Sequence, residues 1–574
     1  MKSLRSFRDL SATIMFQAIL LHISVEIHAS TELSGKHIYI FDPTMEMHSI
    51  QRIVDSIFAR QSPKKSEFSC ERFALLFKPG SYELDIRVGY YMQVAGLGLS
   101  PEEVTIKGSV RSNSVDGRHQ LTNFWRSVEN LTIEPMADST NVWGVSQAAP
   151  MRRVYIKGNL HLHDRGYASG GFMADTKIDG TVSFGPQQQW FSRNCSWIKC
   201  RRGAWNIFSM GVEGAPATNW PEGPYTSLPT VPVSREKPYL SLSNGQYRVM
   251  LPQSRLNSTG VSWDNDPPCN RELDLSDFYI TDPSKDNAST LNEALKEGWH
   301  LLITPGIYEL GESLRVDNPG TVIMGLGMPS LIPTGGTPVL EIADIGGVTV
   351  SGLLLDAGKI ESPVLLKVGD YRSGLDHSKN PTWLFDIFCR VGGATAGSVT
   401  KNVEINSHDV FLDHVWLWRA DHGSGVGWDL NRSACGLAVN GDRVTVYGLF
   451  NEHHQEYQTL WNGEEGRVYL YQSEMPYDPP SSLSWMHENV EGYASYKVAD
   501  HVKSHKAWGI GVYCVFKEAA IQVENAIETP ASLEDDFHHK FTFWLNGIEG
   551  STIRSIINGK GESVHKDHRR SNLK

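Results

Sequence analysis

The chain has 574 residues, 40% of them apolar and 21% charged, with a net charge of −12. That balance fits two or three globular domains, and an acidic chain without a basic cluster excludes nucleic acid and anionic membrane as partners. Fifty-two glycines and 16 tryptophans favour turn-rich β structure with aromatic-lined surfaces.

In chain order, residues 1–29 read as a secretory signal. Lys2, Arg5 and Arg8 precede a mainly apolar stretch from Leu10 to Ile23, and Ala29 offers a small residue for cleavage. Gln17 and His22 interrupt that stretch, and no other run is long enough to span a membrane, so the expectation is a secreted, soluble, monomeric protein. Five Asn-x-Ser/Thr sequons (Asn130, Asn194, Asn257, Asn287, Asn431) are candidate glycosylation sites. Seven cysteines, none in CxxC, suggest a few structural bridges and one spare thiol.

From residue 38 onward the chain carries one paragraph twice. Ile38 opens IYIFDPTMEMHSI and Phe278 opens FYITDPSKDNAST; Pro79-Gly80 answers Pro305-Gly306, and Gly96-Leu97-Gly98 answers Gly325-Leu326-Gly327. A repeat of this length means two similar domains in tandem, placed at residues 30–255 and 256–574 with a Pro-rich junction, and a cleft between them becomes the first place to seek a site. Each copy starts with a helical segment, Met47–Phe58 and Ala288–Glu297, suited to capping the open end of a β structure. Short β-branched runs follow, such as Val154-Tyr155-Ile156, then those at Val410, Val444 and Val468. Strands recurring every roughly 20 to 35 residues predict an all-β fold of two tandem right-handed, single-stranded parallel β-helices.

The densest polar and aromatic text lies in the second copy. Glu452 and Glu474 are one coil apart by these spacings, and stacked coils lie roughly 4.8 Å apart, so the two carboxyls become neighbours. Paired carboxyls suit glycosidic bond cleavage, because like charge holds one of them protonated as an acid. Trp416, Trp418, Trp461 and Tyr477 are candidates for stacking on sugar rings. Asp421, His422, His453, Tyr457, Gln458 and Gln472 are candidates for binding sugar hydroxyls. His453-His454 lacks metal-site spacing, and no metal or cofactor is called for.

These residues resemble glycoside hydrolase family 55, secreted β-1,3-glucanases with two tandem β-helices. The likeness rests on Trp416-Leu417-Trp418, Ala420-Asp421-His422, Tyr447-Gly448, Glu452-His453, Tyr457-Gln458, Gln472, Glu474 and Pro476-Tyr477. In the first copy it rests on Gly170–Asp175, Gln188-Gln189 and Arg193-Asn194. By that resemblance Glu474 is the general acid, Glu452 its supporting carboxylate, and Gln189 or Gln188 a holder of the attacking water. It implies an exo-acting, inverting enzyme on β-glucan. Two carboxyls one coil apart sit closer than an inverting acid–base pair requires, so the water must be held from the opposite wall. The chain is also similar to secreted bacterial and fungal proteins labelled adenylyl cyclase or coagulation factor 5/8-type, but no nucleotide-binding Gly-rich loop accompanies that likeness. A polysaccharide lyase and a non-catalytic wall-binding protein are the alternative readings.

Overall fold

The computed structural model describes residues 33–114, 117–136, 138–264, 270–371 and 374–574. The signal-like segment at 1–29 lies outside them. Among the described residues, no helix is long and apolar enough to cross a membrane.

In the first half, strands Ile38–Phe41, Phe73–Phe77, Met92–Gly96, Arg126–Glu134, Met151–Ile156, Gly171–Ala174, Gln189–Arg193 and Asn206–Met210 pair in parallel, each with the next coil. In the second, His300–Ile303, Val322–Gly325, Thr349–Asp356, Thr382–Val391, Val410–Arg419, Thr445–Glu452, Gly466–Glu474, His505–Phe516 and Phe537–Gly547 do the same, beside a nine-strand parallel sheet. These are the two tandem parallel β-helices the spacing predicts. The strands at Val410, Val444 and Val468 are consecutive coils.

The helices fall where the repeat places them: α1 over Met47–Gln61 and α2 over Ala288–Lys296. Apolar residues at helical spacing (Ile50, Val54, Ile57 in α1; Leu291, Ala294, Leu295 in α2) turn onto the first coils and cover them. Asn287 caps α2 by accepting from Thr290 N at 3.1 Å.

The connection between the halves is itself folded. Val231–Ser234 pairs antiparallel with Arg255–Ser258, and Tyr239–Ser243, Gln246–Pro252 and Asn270–Asp274 form a three-strand sheet. A boundary at 255/256 therefore cuts through the connector, and the second β-helix begins at Phe278.

A column of left-handed residues kinks the strands that face the other half. It runs Asn130, Arg153, Asp175, Asn194 and Gly211 in the first half, and Gly352, Asp386, His414, Gly448, Leu470 and Gly509 in the second. Each of these six in the second half is left unpaired between two paired runs, opposite the unpaired residue of the neighbouring coil, so the register runs on unbroken. Left-handed backbone costs a non-glycine residue about 1–2 kcal/mol, so Asn, Asp and Gly are favoured there.

The kinked faces pack together over an apolar cluster drawn from both halves, including Phe124, Trp125, Phe172 and Phe191 against Trp416, Trp418, Tyr447 and Phe450. Buried charges complete the contact. Arg152 lies 2.7 Å from Asp386 and 3.1 Å from Asp413, Arg193 lies 2.9 Å from Asp413, and Lys237 bridges Glu129 and Asp386. The two guanidiniums and the ammonium thus each join residues of opposite halves, which sets the halves' register.

Two sequence expectations change. The six described cysteines are all free thiols, four of them buried, so no bridge forms among them. Three sequon asparagines are structural: Asn130 donates to Gly96 O and Gly98 O, Asn431 donates to Val391 O and Ala420 O, and Asn194 is fully buried.

Candidate active site

Between the halves lies a cleft of about 410 Å³. The first half contributes Lys64, His119, Phe124, Gln147, Ser169 and Gln188. The second contributes Trp416, Trp418, Asp421, His422, Glu452, His453, Glu474 and Tyr477.

Glu452 ends the strand Thr445–Glu452, Glu474 ends Gly466–Glu474, and the two are direct register partners. The one-coil spacing therefore does bring both carboxyls to one place. Glu452 is held by two donors: Gln147 Nε2 at 2.8 Å from Oε1, and Trp416 Nε1 at 2.8 Å from Oε2. Gln147 crosses from the first half and has φ of +33°. His414 pins it: Nε2 lies 3.0 Å from Gln147 O, and Nδ1 lies 2.8 Å from Asp386. The buried ion pairs of the interface thereby position a donor to Glu452.

Glu474 is 7% exposed and accepts a hydrogen bond from the Tyr477 hydroxyl. Burial first, and the charge of Glu452 second, push its pKa up to about 8, while the Tyr477 hydroxyl and Lys517 pull the other way. Burial also raises Glu452, against its hydrogen bonds from Trp416 and Gln147 and the pull of the Gln472 amide nearby. Burial next to Glu474 lifts Tyr477 well above the ordinary phenol range, so it remains a donor. At neutral pH the pair thus holds a proton on Glu474, ready to be given away.

An ion-pair tie joins the two halves at the cleft wall. His422 lies 2.9 Å from Asp421 and 2.6 Å from Glu67, which sits in the turn after α1. Burial opposes its charge, but the two carboxylates prevail and raise the imidazole to about 10. Lys517 lies 3.6 Å from Asp421 and 4.2 Å above the Tyr477 ring. Trp416 and Trp418 stack at 5.1 Å, with Phe124 against Trp416 at 4.7 Å, forming an aromatic wall.

Several residues singled out in the sequence sit elsewhere. Trp461 is fully buried in the interior of the second β-helix against His505 and Tyr496, so no sugar reaches it. Gln458 is spent on its own turn, accepting from His454 N and donating to His454 O at 2.7 Å each. Tyr457 packs edge-on against His487 and Tyr493, outside the cleft. Gln472 lies buried beside Glu452 and acts through it. Gln189 is buried under Tyr513, whose hydroxyl donates to its Oε1 at 2.6 Å; Gln188, its neighbour, is the one lining the cleft.

Sequence reasoning missed Gln147, Ser169, Lys64 and His119. Gln147 and Gln188 line the cleft, and their Oε1 atoms are buried without a partner among the described residues. No group of three or more His, Cys, Asp or Glu among the described residues could hold a metal ion.

A protonated glutamic acid beside a second carboxyl, opposite polar groups able to hold water and walled by tryptophans, defines a glycoside hydrolase on a β-helical frame. Residues 278–474 match the LAM55 pectate lyase-like domain. The chain is 43% identical over 539 residues to an exo-beta-1,3-glucanase from Streptomyces sp. (strain SirexAA-E / ActE), covering 93% of this chain and 88% of that protein. It superposes on the structure of sacteLam55A from Streptomyces sp. SirexAA-E with a TM-score of 0.91 at 42% identity, covering 96% of this chain and 99% of the other. A variant of the same protein in complex with glucose gives a TM-score of 0.92 at 41% identity, with the same coverage. The chain belongs to this family of β-1,3-glucanases, glycoside hydrolase family 55.

Proposed function

We propose that this protein is an exported, monomeric, exo-acting β-1,3-glucanase that releases sugar with inversion. The observation that carries the reading is Glu474, a buried carboxyl held protonated beside Glu452 in a cleft to which both halves contribute.

Glu474 donates its proton to the departing glycosidic oxygen, and the new carboxylate is received by the Tyr477 hydroxyl. Glu452 keeps the proton of the pair on Glu474 by like-charge repulsion. Gln147 Oε1 takes a proton from the attacking water while Gln147 Nε2 passes one to Glu452 Oε1 along their 2.8 Å hydrogen bond, so Glu452 takes up the proton the water loses as Glu474 gives its own away. Gln188 offers a second acceptor on the same wall. Attack from the first-half wall, opposite the acid, inverts the anomeric centre and removes the conflict with the short carboxyl spacing. The description of the Streptomyces relative as an exo-beta-1,3-glucanase supports removal of units from a chain terminus.

Incubation with a panel of polysaccharides including laminarin, with product anomers followed by NMR, tests this reading. Release of glucose first seen as the α anomer supports it; ultraviolet-absorbing unsaturated products, or binding without release, would overturn it.

A further inference from the structure

Glu474 ends its strand, and the chain then leaves the sheet through Met475-Pro476-Tyr477-Asp478-Pro479-Pro480. Three of those six residues are prolines without an N–H, so the segment cannot continue the strand ladder. Its place comes instead from side chains and single hydrogen bonds. Tyr477, whose hydroxyl donates to Glu474, rides on this segment. Lys517 N donates to Tyr477 O at 2.7 Å, and the His453 ring meets the Tyr477 ring edge-on at 4.3 Å.

The next tie is at Asp478. Arg419 Nη1 lies 2.8 Å from Asp478 Oδ1, and Nη2 lies 2.9 Å from Oδ2, a parallel two-pronged grip. Arg419 is itself fixed and only 1% exposed. Its Nε donates to Asn431 O at 2.8 Å, Nη1 to His453 O at 3.3 Å and Nη2 to Gly427 O at 3.1 Å. All five N–H groups are thus spent, three on main-chain carbonyls and two on one carboxylate. Arg419 ends the strand Val410–Arg419, whose Trp418 is the register partner of Glu452. The guanidinium therefore joins the packed coils to a segment that has no ladder of its own.

We propose that Arg419 is a positioning residue for proton donation: through Asp478 it holds the Tyr477 hydroxyl on Glu474. This deepens the glucanase reading and rests on it. A hydroxyl that donates to Glu474 favours its carboxylate, so losing that bond leaves burial and Glu452 to raise the pKa further. Glu474 gives its proton away only while protonated, so the alkaline limb of activity then moves to higher pH. The same loss leaves the carboxylate formed on proton donation without its donor, and kcat falls. The other titratable groups around the acid keep their charge when the tie is cut. They are Glu452, Asp421, His422 and His453 of the second half, Lys517 above the Tyr477 ring, and Lys64 and His119 of the first half.

The test compares pH profiles of the full-length native protein, Asp478→Asn and Arg419→Lys on laminarin oligosaccharides, with circular dichroism confirming each fold. The Asp478 side chain is 22% exposed, so its substitution leaves the core closed, and an amide there sets an N–H against one guanidinium prong. Asp478→Asn should lower kcat about tenfold and move the alkaline limb of kcat/KM up by about 1 pH unit. Arg419→Lys, which keeps a cation but loses the fork, should move the limb in the same direction. In Tyr477→Phe the hydroxyl is already gone, so adding Asp478→Asn should shift the limb no further. A limb that stays in place in both Asp478→Asn and Arg419→Lys overturns the positioning role while native hydrolysis stands. So does a shift from Asp478→Asn that adds in full to that of Tyr477→Phe. Absence of hydrolysis by the native protein overturns the glucanase reading itself.

Discussion

Glu452→Gln probes how the pair holds its proton. The variant keeps the volume of the side chain and one of its two acceptor oxygens but removes the charge that Glu474 feels. At about 5 Å and an effective dielectric constant of about 20, two unit charges repel by about 3 kcal/mol, equivalent to about 2 pH units. Burial is the larger cause of the raised Glu474 pKa and remains in the variant, so the acid should stay above its ordinary range yet fall well below about 8. The sign follows directly: Glu474 works as an acid only while protonated, so activity is lost as pH rises through its pKa. The assay is kcat/KM on laminarin oligosaccharides from pH 4 to 10. The native enzyme should lose activity on the alkaline side near pH 8, and the variant about 1–2 pH units lower. The acid-side decline that reports ionisation of Glu452 should vanish as well. An alkaline limb that does not move would refute the electrostatic coupling of the two carboxyls.

Three further outcomes are expected. Glu474→Gln should be more heat-stable than the native protein at pH 8 and equally stable near pH 4. A buried carboxyl with a raised pKa destabilises the fold increasingly between its unfolded and folded pKa values, and differential scanning calorimetry at both pH values checks this. Arg152→Ala, which takes one cation from Asp386 and Asp413 but leaves them Lys237 and Arg193, should cost up to about 3 kcal/mol in urea unfolding. Trp461→Ala should cost about 3–5 kcal/mol while KM for glucan stays unchanged, because the ring fills the β-helix interior.

The repeat, the coil spacing and the juxtaposition of Glu452 with Glu474 were legible because each depends on residues close in sequence. Gln147 was not: it reaches Glu452 across 305 residues, and no local pattern marks such a partner. Inward and outward faces were also hidden. Tyr469 points outward, so counting by two would place Tyr471 outward and Glu474 inward. The left-handed kink at Leu470 resets the alternation, sending Tyr471 into the core and Glu474 into the cleft. Trp461 and Gln458 misled for a related reason: a motif shared by a family records the interior of a coil as faithfully as its working face. Gln188 and Gln189 are neighbours on one strand edge, and only the packing of Tyr513 on Gln189 tells which one is left to face the cleft.

Proton donation by Glu474 is tested most directly by comparing two substrates in the Glu474→Gln variant. Hydrolysis of laminarin, whose departing sugar oxygen needs a proton, should fall by about 10²–10⁴-fold. Hydrolysis of β-glucosyl fluoride, whose fluoride leaves unaided, should stay near the native rate. An equal loss on both substrates would contradict the assignment.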